Sequence, residues 1–236
     1  MPRSVTLKAT KGRYAEDPVV RRLRIQTWFR AVSHVSGLTA AELERRYSLD
    51  EHSSNRSCIW DKYRRGDVEP RDAGDLPDSV GLVTLVESCY GETRQWLRSP
   101  LWRLADRAPL DMLEIRVAYE GLPELLRSMF IAPKTSESQI FWRRPVDIAH
   151  ACEILRRFGT IEALITSLIV VREAEITQNQ LQHACGVKLA RECVARLAAH
   201  PVIGPALLSA SGKPCLGDYL ESRWIAPGYT HVAEDA

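Results

Sequence analysis

Residues 160–175, TIEALITSLIVVREAE, carry apolar side chains on most faces of a helix, with Gly159 closing what precedes and Thr160 supplying an N-cap. A helix that is apolar nearly all round belongs at the centre of a bundle, because no face of it is suited to water. Upstream, residues 145–158 repeat the 3.6-residue pattern through Val146, Ile148, Ala149, Cys152 and Leu155. Downstream, residues 177–184, 187–199 and 216–224 read as further helices, with Pro201, Pro205 and Pro214 punctuating short turns. There is no alternating strand pattern of useful length, no repeat at solenoid spacing and no low-complexity segment. The expected fold class is all-α.

The amino-terminal part reads the same way. Asp17 is an N-cap followed by Pro18 at the first helical position, and the apolar series Val20, Leu23, Trp28, Val32, Val35 runs to a stop at Gly37. Thr39 with Glu42 three residues on forms a capping box, and Leu43 and Tyr47, four apart, share a face. Residues 48–55 are polar and turn-forming, after which residues 56–65 predict a third helix that buries Trp60 and Tyr63 and ends at Gly66. The run DAGDLPD at 72–78 is a hinge. Residues 79–90 form a helix stopped by Gly91, residues 92–106 two short helices split by Pro100, and Pro109 and Pro123 open further short ones. Residues 130–144 are an irregular loop. The expected division is a helix-turn-helix-like unit over 1–75 and a larger helical bundle over 76–236, itself divided near 131–144.

Composition narrows the class. The 236 residues are 45% hydrophobic, enough for one large core or two smaller ones. The longest apolar run, Ile161 to Val171, is interrupted by Glu162, Thr166 and Ser167 and falls short of the ~20 residues of a membrane span. The first residues are basic without the apolar core of a signal peptide, so a cytoplasmic location with no membrane partner is expected. Six cysteines, at positions 58, 89, 152, 185, 193 and 215, show no CxxC pair and read as free thiols. The net charge of +2 conceals a basic first part: residues 1–71 carry +6 and residues 72–236 carry −4. A basic module on a larger helical body is one way to address nucleic acid.

Residues 38–70, LTAAELERRYSLDEHSSNRSCIWDKYRRGDVEP, resemble the helix-turn-helix domain of phage-repressor-like transcription regulators, the family that includes the lambda repressor and Cro. The likeness lies in Leu38-Thr39, the Glu42-Leu43 pair, and Trp60, Tyr63, Arg64, Arg65 and Gly66 with Pro70 beyond. It implies a second helix across the phosphate backbone and a third in the major groove of double-stranded DNA. By position, Arg56, Cys58, Ile59 and Lys62 would face the bases, and Arg45, Arg46, Arg64 and Arg65 would be near phosphates. The connection SLDEHSSN is about six residues longer than the family's tight turn, and Asp50, Glu51 and Asp61 bring negative charge to the same surface. The resemblance implies a DNA-binding transcription regulator of bacterial type, dimerising through its carboxy-terminal bundle. The alternative is a protein-interaction adaptor that uses the same unit, with Ile59 in the contact surface.

Three other features carry weaker signals. Trp96 and Trp102, interleaved with Arg98 and Arg103, fit core packing where short helices turn better than base stacking. Phe141, Trp142, Arg143 and Arg144 suggest a partner-binding edge. His183, Cys185, Cys193 and His200 lack the tight pair of a structural zinc site, so no metal is expected. No Gly-rich phosphate loop, HExxH or nucleophile elbow occurs. No catalytic residue, no cofactor and no enzymatic activity are expected.

Overall fold

Local capping sets the first helices. In the computed structural model, which describes residues 15–47, 58–72, 81–132, 142–208 and 214–224, α1 (Pro18–Ser36) opens with Asp17 accepting a 2.8 Å hydrogen bond from Val19 N and closes at Gly37, φ 69°. At Gly37 nothing lies within 4 Å of where a Cβ would stand. In α2 (Ala40–Tyr47) the Thr39 N–H donates to Glu42 at 2.8 Å and Glu42 N donates back to the Thr39 hydroxyl at 3.4 Å. In α3 (Ile59–Arg65) the chain ends at Gly66, φ 77°, and is entered through Cys58 in the left-handed region. Arg56 and the connection 48–55 lie outside the described residues.

The remaining described helices are α4 (Leu82–Cys89), α5 (Arg94–Arg98), α6 (Pro100–Ala105), α7 (Met112–Glu120), α8 (Glu124–Phe130), α9 (Ile148–Phe158), α10 (Ile161–Thr177), α11 (Gln180–Leu197), α12 (Gly204–Leu207) and α13 (Leu216–Trp224). The fold is all-α: among the described residues the only strand-like pairing is one isolated antiparallel bridge, Ile131 to Arg143. Two helices start later than their prolines suggested. The capping box of Asp111 with Glu114 opens α7, and Asp147 opens α9, because a side chain able to accept from the free N–H groups sets the start more firmly than proline does.

At the centre of the larger core, α10 is buried at every residue from Ala163 to Ala174, packed by α6, α7, α9 and α11. The sequence predicts separate helices over 177–184 and 187–199. The structure instead has one continuous α11 with Gly186 inside it. A Cβ on Gly186 would stand 2.8 Å from Val171 Cγ2 and 3.2 Å from Val171 N, so this glycine lets two helices approach rather than stopping one. Gly186→Val should therefore lower stability by about 2 kcal/mol through overpacking, read as a lower urea midpoint at unchanged slope.

A smaller core gathers Ile25, Trp28, Phe29 and Val32 of α1 with Leu43, Trp60 and Tyr63, and also takes Val83, Val86 and Leu97 from beyond residue 75. Val20 and Leu23 of the same α1 belong to the larger core. One uninterrupted helix thus supplies side chains to both. Val35, at the end of the expected apolar series, is 55% exposed.

Candidate nucleic-acid interface

An aromatic lock holds α3 in place. Trp60 stacks on Trp28 with ring centroids 5.7 Å apart and 16° between planes, while Tyr63 meets Trp28 edge-on at 5.5 Å. Tyr47 of α2 closes on Trp60 at 5.7 Å. Trp60 and Tyr63 are 1% and 4% exposed, the buried pair that their three-residue spacing anticipates. Burial pushes the Tyr63 phenol up to about 12, so it stays neutral.

Polar contacts at both ends fix the direction of the helix. Glu44 of α2 accepts from Trp60 N at 3.0 Å, satisfying one of the free donors at the start of α3. At the other end Gln26 of α1 donates to Arg65 O at 2.8 Å, and Gly66 sits against Arg22 so tightly that a Cβ there would come 2.5 Å from Arg22 Cγ and 2.7 Å from Arg22 O. Helix α3 therefore runs back along α1, with Trp60 beside Trp28 and Phe29 and Gly66 beside Arg22.

The opposite edge of α3 carries the residues expected to meet DNA. Cys58, Arg64 and Arg65 are exposed and Lys62 is half-buried. Both arginines are engaged: Arg64 Nε lies 3.0 Å from Asp61 and Arg65 Nε 2.7 Å from Asp67. On α2, Arg45 and Arg46 are exposed, and Arg46 lies 5.3 Å from the centre of the Tyr90 ring. Ile59 is half-buried, with one part of its side chain packed against the smaller core and the rest accessible.

The other candidates do not converge on a site. Trp102 is 3% exposed and donates its indole N–H to Trp96 O at 2.8 Å, a packing role. Trp142 is half-buried against the larger core, Arg143 turns inward and Arg144 donates to Ser128 O at 2.8 Å, while Phe141 lies outside the described residues. His183 and Cys193 are buried. His200 lies beside Trp96 with ring centroids 5.5 Å apart and planes tilted by 53°, and accepts from Val202 N at 3.2 Å. Among the described residues no group of three or more His, Cys, Asp or Glu is placed to hold a metal ion, and no helix is long and apolar enough to cross a membrane.

One cluster escaped the sequence reading. Glu173, near the carboxy-terminal end of α10 and 5% exposed, accepts from Arg143 Nε at 2.8 Å and Nη2 at 3.0 Å, from the Tyr119 hydroxyl at 2.8 Å and from Gln182 at 2.7 Å. Arg143 also lies over the Tyr119 and Phe130 rings at 4.9 and 5.0 Å. The signal was a carboxylate following the apolar run 163–171 of a central helix, where a buried charge is tolerated only when fully paired. Every partner in this network is satisfied from within the chain, which marks it as a fastening of Arg143 to α10 rather than a ligand site.

Comparison with protein-family models, curated proteins and solved structures finds no match for this chain.

Proposed function

We propose that the smaller helical unit binds double-stranded DNA, weakly and mainly through phosphates, in the manner of a helix-turn-helix regulator, with the larger bundle serving as a dimerisation or partner-binding body. The observation that carries this reading is the aromatic lock. By fastening Trp60 and Tyr63 to Trp28, it holds α3 on α1 with Arg64 and Arg65 exposed and Lys62 half-buried beside them. A short cationic edge held on a packed base is what backbone contact to a duplex requires. The partial packing of Ile59 against the smaller core supports it as well, since less of an apolar side chain then stands where bases would be met. Within this reading Lys62 and Arg56 are the base readers, Cys58 borders them, and Arg45 and Arg46 extend the phosphate contact along α2.

The pairing of Arg64 with Asp61 and of Arg65 with Asp67 favours a second reading, in which this mixed-charge surface contacts a protein. A polyanion repels the two carboxylates, whereas a protein surface of alternating charge matches them. Anisotropy of a labelled mixed-sequence duplex, titrated from low to high salt, separates the two. DNA binding predicts affinity that falls by orders of magnitude, with a log–log slope of about −0.9 per phosphate contacted. Absence of binding at low salt, or affinity indifferent to salt, overturns the DNA reading and leaves the protein-contact one.

A further inference from the structure

The surplus positive charge of the smaller unit does not lie only where the sequence motif puts it, because Arg64 and Arg65 are paired with Asp61 and Asp67. Each acid between Gly66 and Asp72 is turned onto an arginine: Asp67 onto Arg65 at 2.7 Å, Glu69 onto Arg24 at 2.9 Å, and Asp72 onto Arg94 at 3.0 Å and Arg98 at 2.5 Å. Arg24 is further held by Glu16 at 2.7 Å. Among the described residues Arg22 on α1, half-buried, and Arg71 on the segment that follows α3, exposed, have no carboxylate within ion-pair distance, as is also true of Lys62 on α3 and of Arg45 and Arg46 on α2.

Arg22 and Arg71 are both held by the backbone around them. Gly66 lies against the Cα, Cγ and carbonyl oxygen of Arg22, so the stem of that side chain crosses the carboxy-terminal end of α3. Arg71 is exposed, and its carbonyl accepts from Val83 N at 3.1 Å. The adjoining Asp72, 5% exposed, anchors inward on α5 and on the Thr84 hydroxyl at 3.2 Å. Arg71 also sits near enough to Tyr63 for its charge to act on that hydroxyl. The stem of Arg22 and the charge of Arg71 therefore both lie at one feature, the end of α3 at Tyr63 to Gly66.

We propose that Arg22 and Arg71, across the Gly66 end of α3, make the principal phosphate contacts of this unit, and that the partner they fit is the sugar-phosphate backbone of duplex DNA. This rests on the DNA reading above and refines where the backbone lies. A guanidinium without a carboxylate offers all its donors to a phosphate, while Arg64 and Arg65 must first give up Asp61 and Asp67 and then leave those carboxylates facing the polyanion. The backbone is thus drawn toward the α1 side of α3, away from Asp61.

Salt-dependent anisotropy on the same duplex tests this with three double variants of the full chain: Arg22→Gln/Arg71→Gln, Arg22→Lys/Arg71→Lys, and Arg64→Gln/Arg65→Gln. The first should lose about tenfold or more in affinity at intermediate salt and flatten the log–log slope by about two. The second should keep the slope, which separates lost charge from lost packing around Gly66. The third should change the slope by less than one. An unchanged slope in the first variant while the unsubstituted protein binds, or a larger loss in the third than in the first, overturns the assignment and leaves DNA binding intact. Failure of the unsubstituted protein to bind at low salt overturns both.

Discussion

Gly66→Ala lowers the free energy of unfolding by about 3 kcal/mol, combining about 1–2 kcal/mol for a left-handed backbone at a residue with a side chain and about 1–3 kcal/mol for overpacking. The added Cβ meets Arg22 Cγ at 2.5 Å and, less forgivingly, Arg22 O at 2.7 Å and Cα at 3.1 Å. A side-chain tip can rotate away, but the backbone of α1 cannot move without disturbing Trp28 and Phe29, which lie farther along the same helix. The comparison that isolates packing is Gly37→Ala, at φ 69° with open space around it. It carries the backbone cost alone, about 1 kcal/mol. Urea unfolding followed by tryptophan fluorescence reads both, since Trp28 and Trp60 report directly on whether α3 stays docked. Equal losses in the two variants would show that the contact with Arg22 does not fasten α3.

Glu173→Gln is expected to cost about 3 kcal/mol, because removing one member of a buried pair leaves the other uncompensated. Arg143, with a side chain 22% exposed, would lose both of its carboxylate contacts. Burial pushes the Tyr119 phenol well above its ordinary value, so at neutral pH it remains a donor and would be left facing a weaker acceptor. The double replacement Glu173→Met/Arg143→Met should recover most of the loss, since two apolar side chains of similar volume remove the charges together. A double-mutant cycle by urea unfolding gives the coupling directly. A loss below about 0.5 kcal/mol for Glu173→Gln would place this network with ordinary surface pairs.

These two positions differ in how readable they are. Gly66 was legible as a helix stop, because Arg64-Arg65-Gly66 is a local signal and the left-handed conformation serves the residues immediately before it. Its second role, pressing α3 on α1, depends on Arg22, 44 positions earlier in the chain, and no local pattern announces it. Gly186 shows the same limit with the opposite result. The local signal said break, and the approach of α10 at Val170 and Val171 decided otherwise. For the candidate interface, the aromatic pair Trp60 and Tyr63 followed from spacing, but the partners of Arg64 and Arg65 did not. Asp61 and Asp67 were visible as nearby charge, whereas Arg22 and Arg71 gained their standing only because other carboxylates were used elsewhere.

Read by itself, the chain determined the helical class, the caps at Asp17, Gly37, Thr39, Gly159 and Thr160, and the burial of α10, because each depends on side chains within a few residues of the backbone they serve. Only the tertiary structure decided that α11 is unbroken, that Glu173 is fastened by Arg143, Tyr119 and Gln182, and that Ile59 packs in part against the smaller core. Those outcomes are set by close approach and by competition among charges far apart in sequence, which a local pattern does not encode.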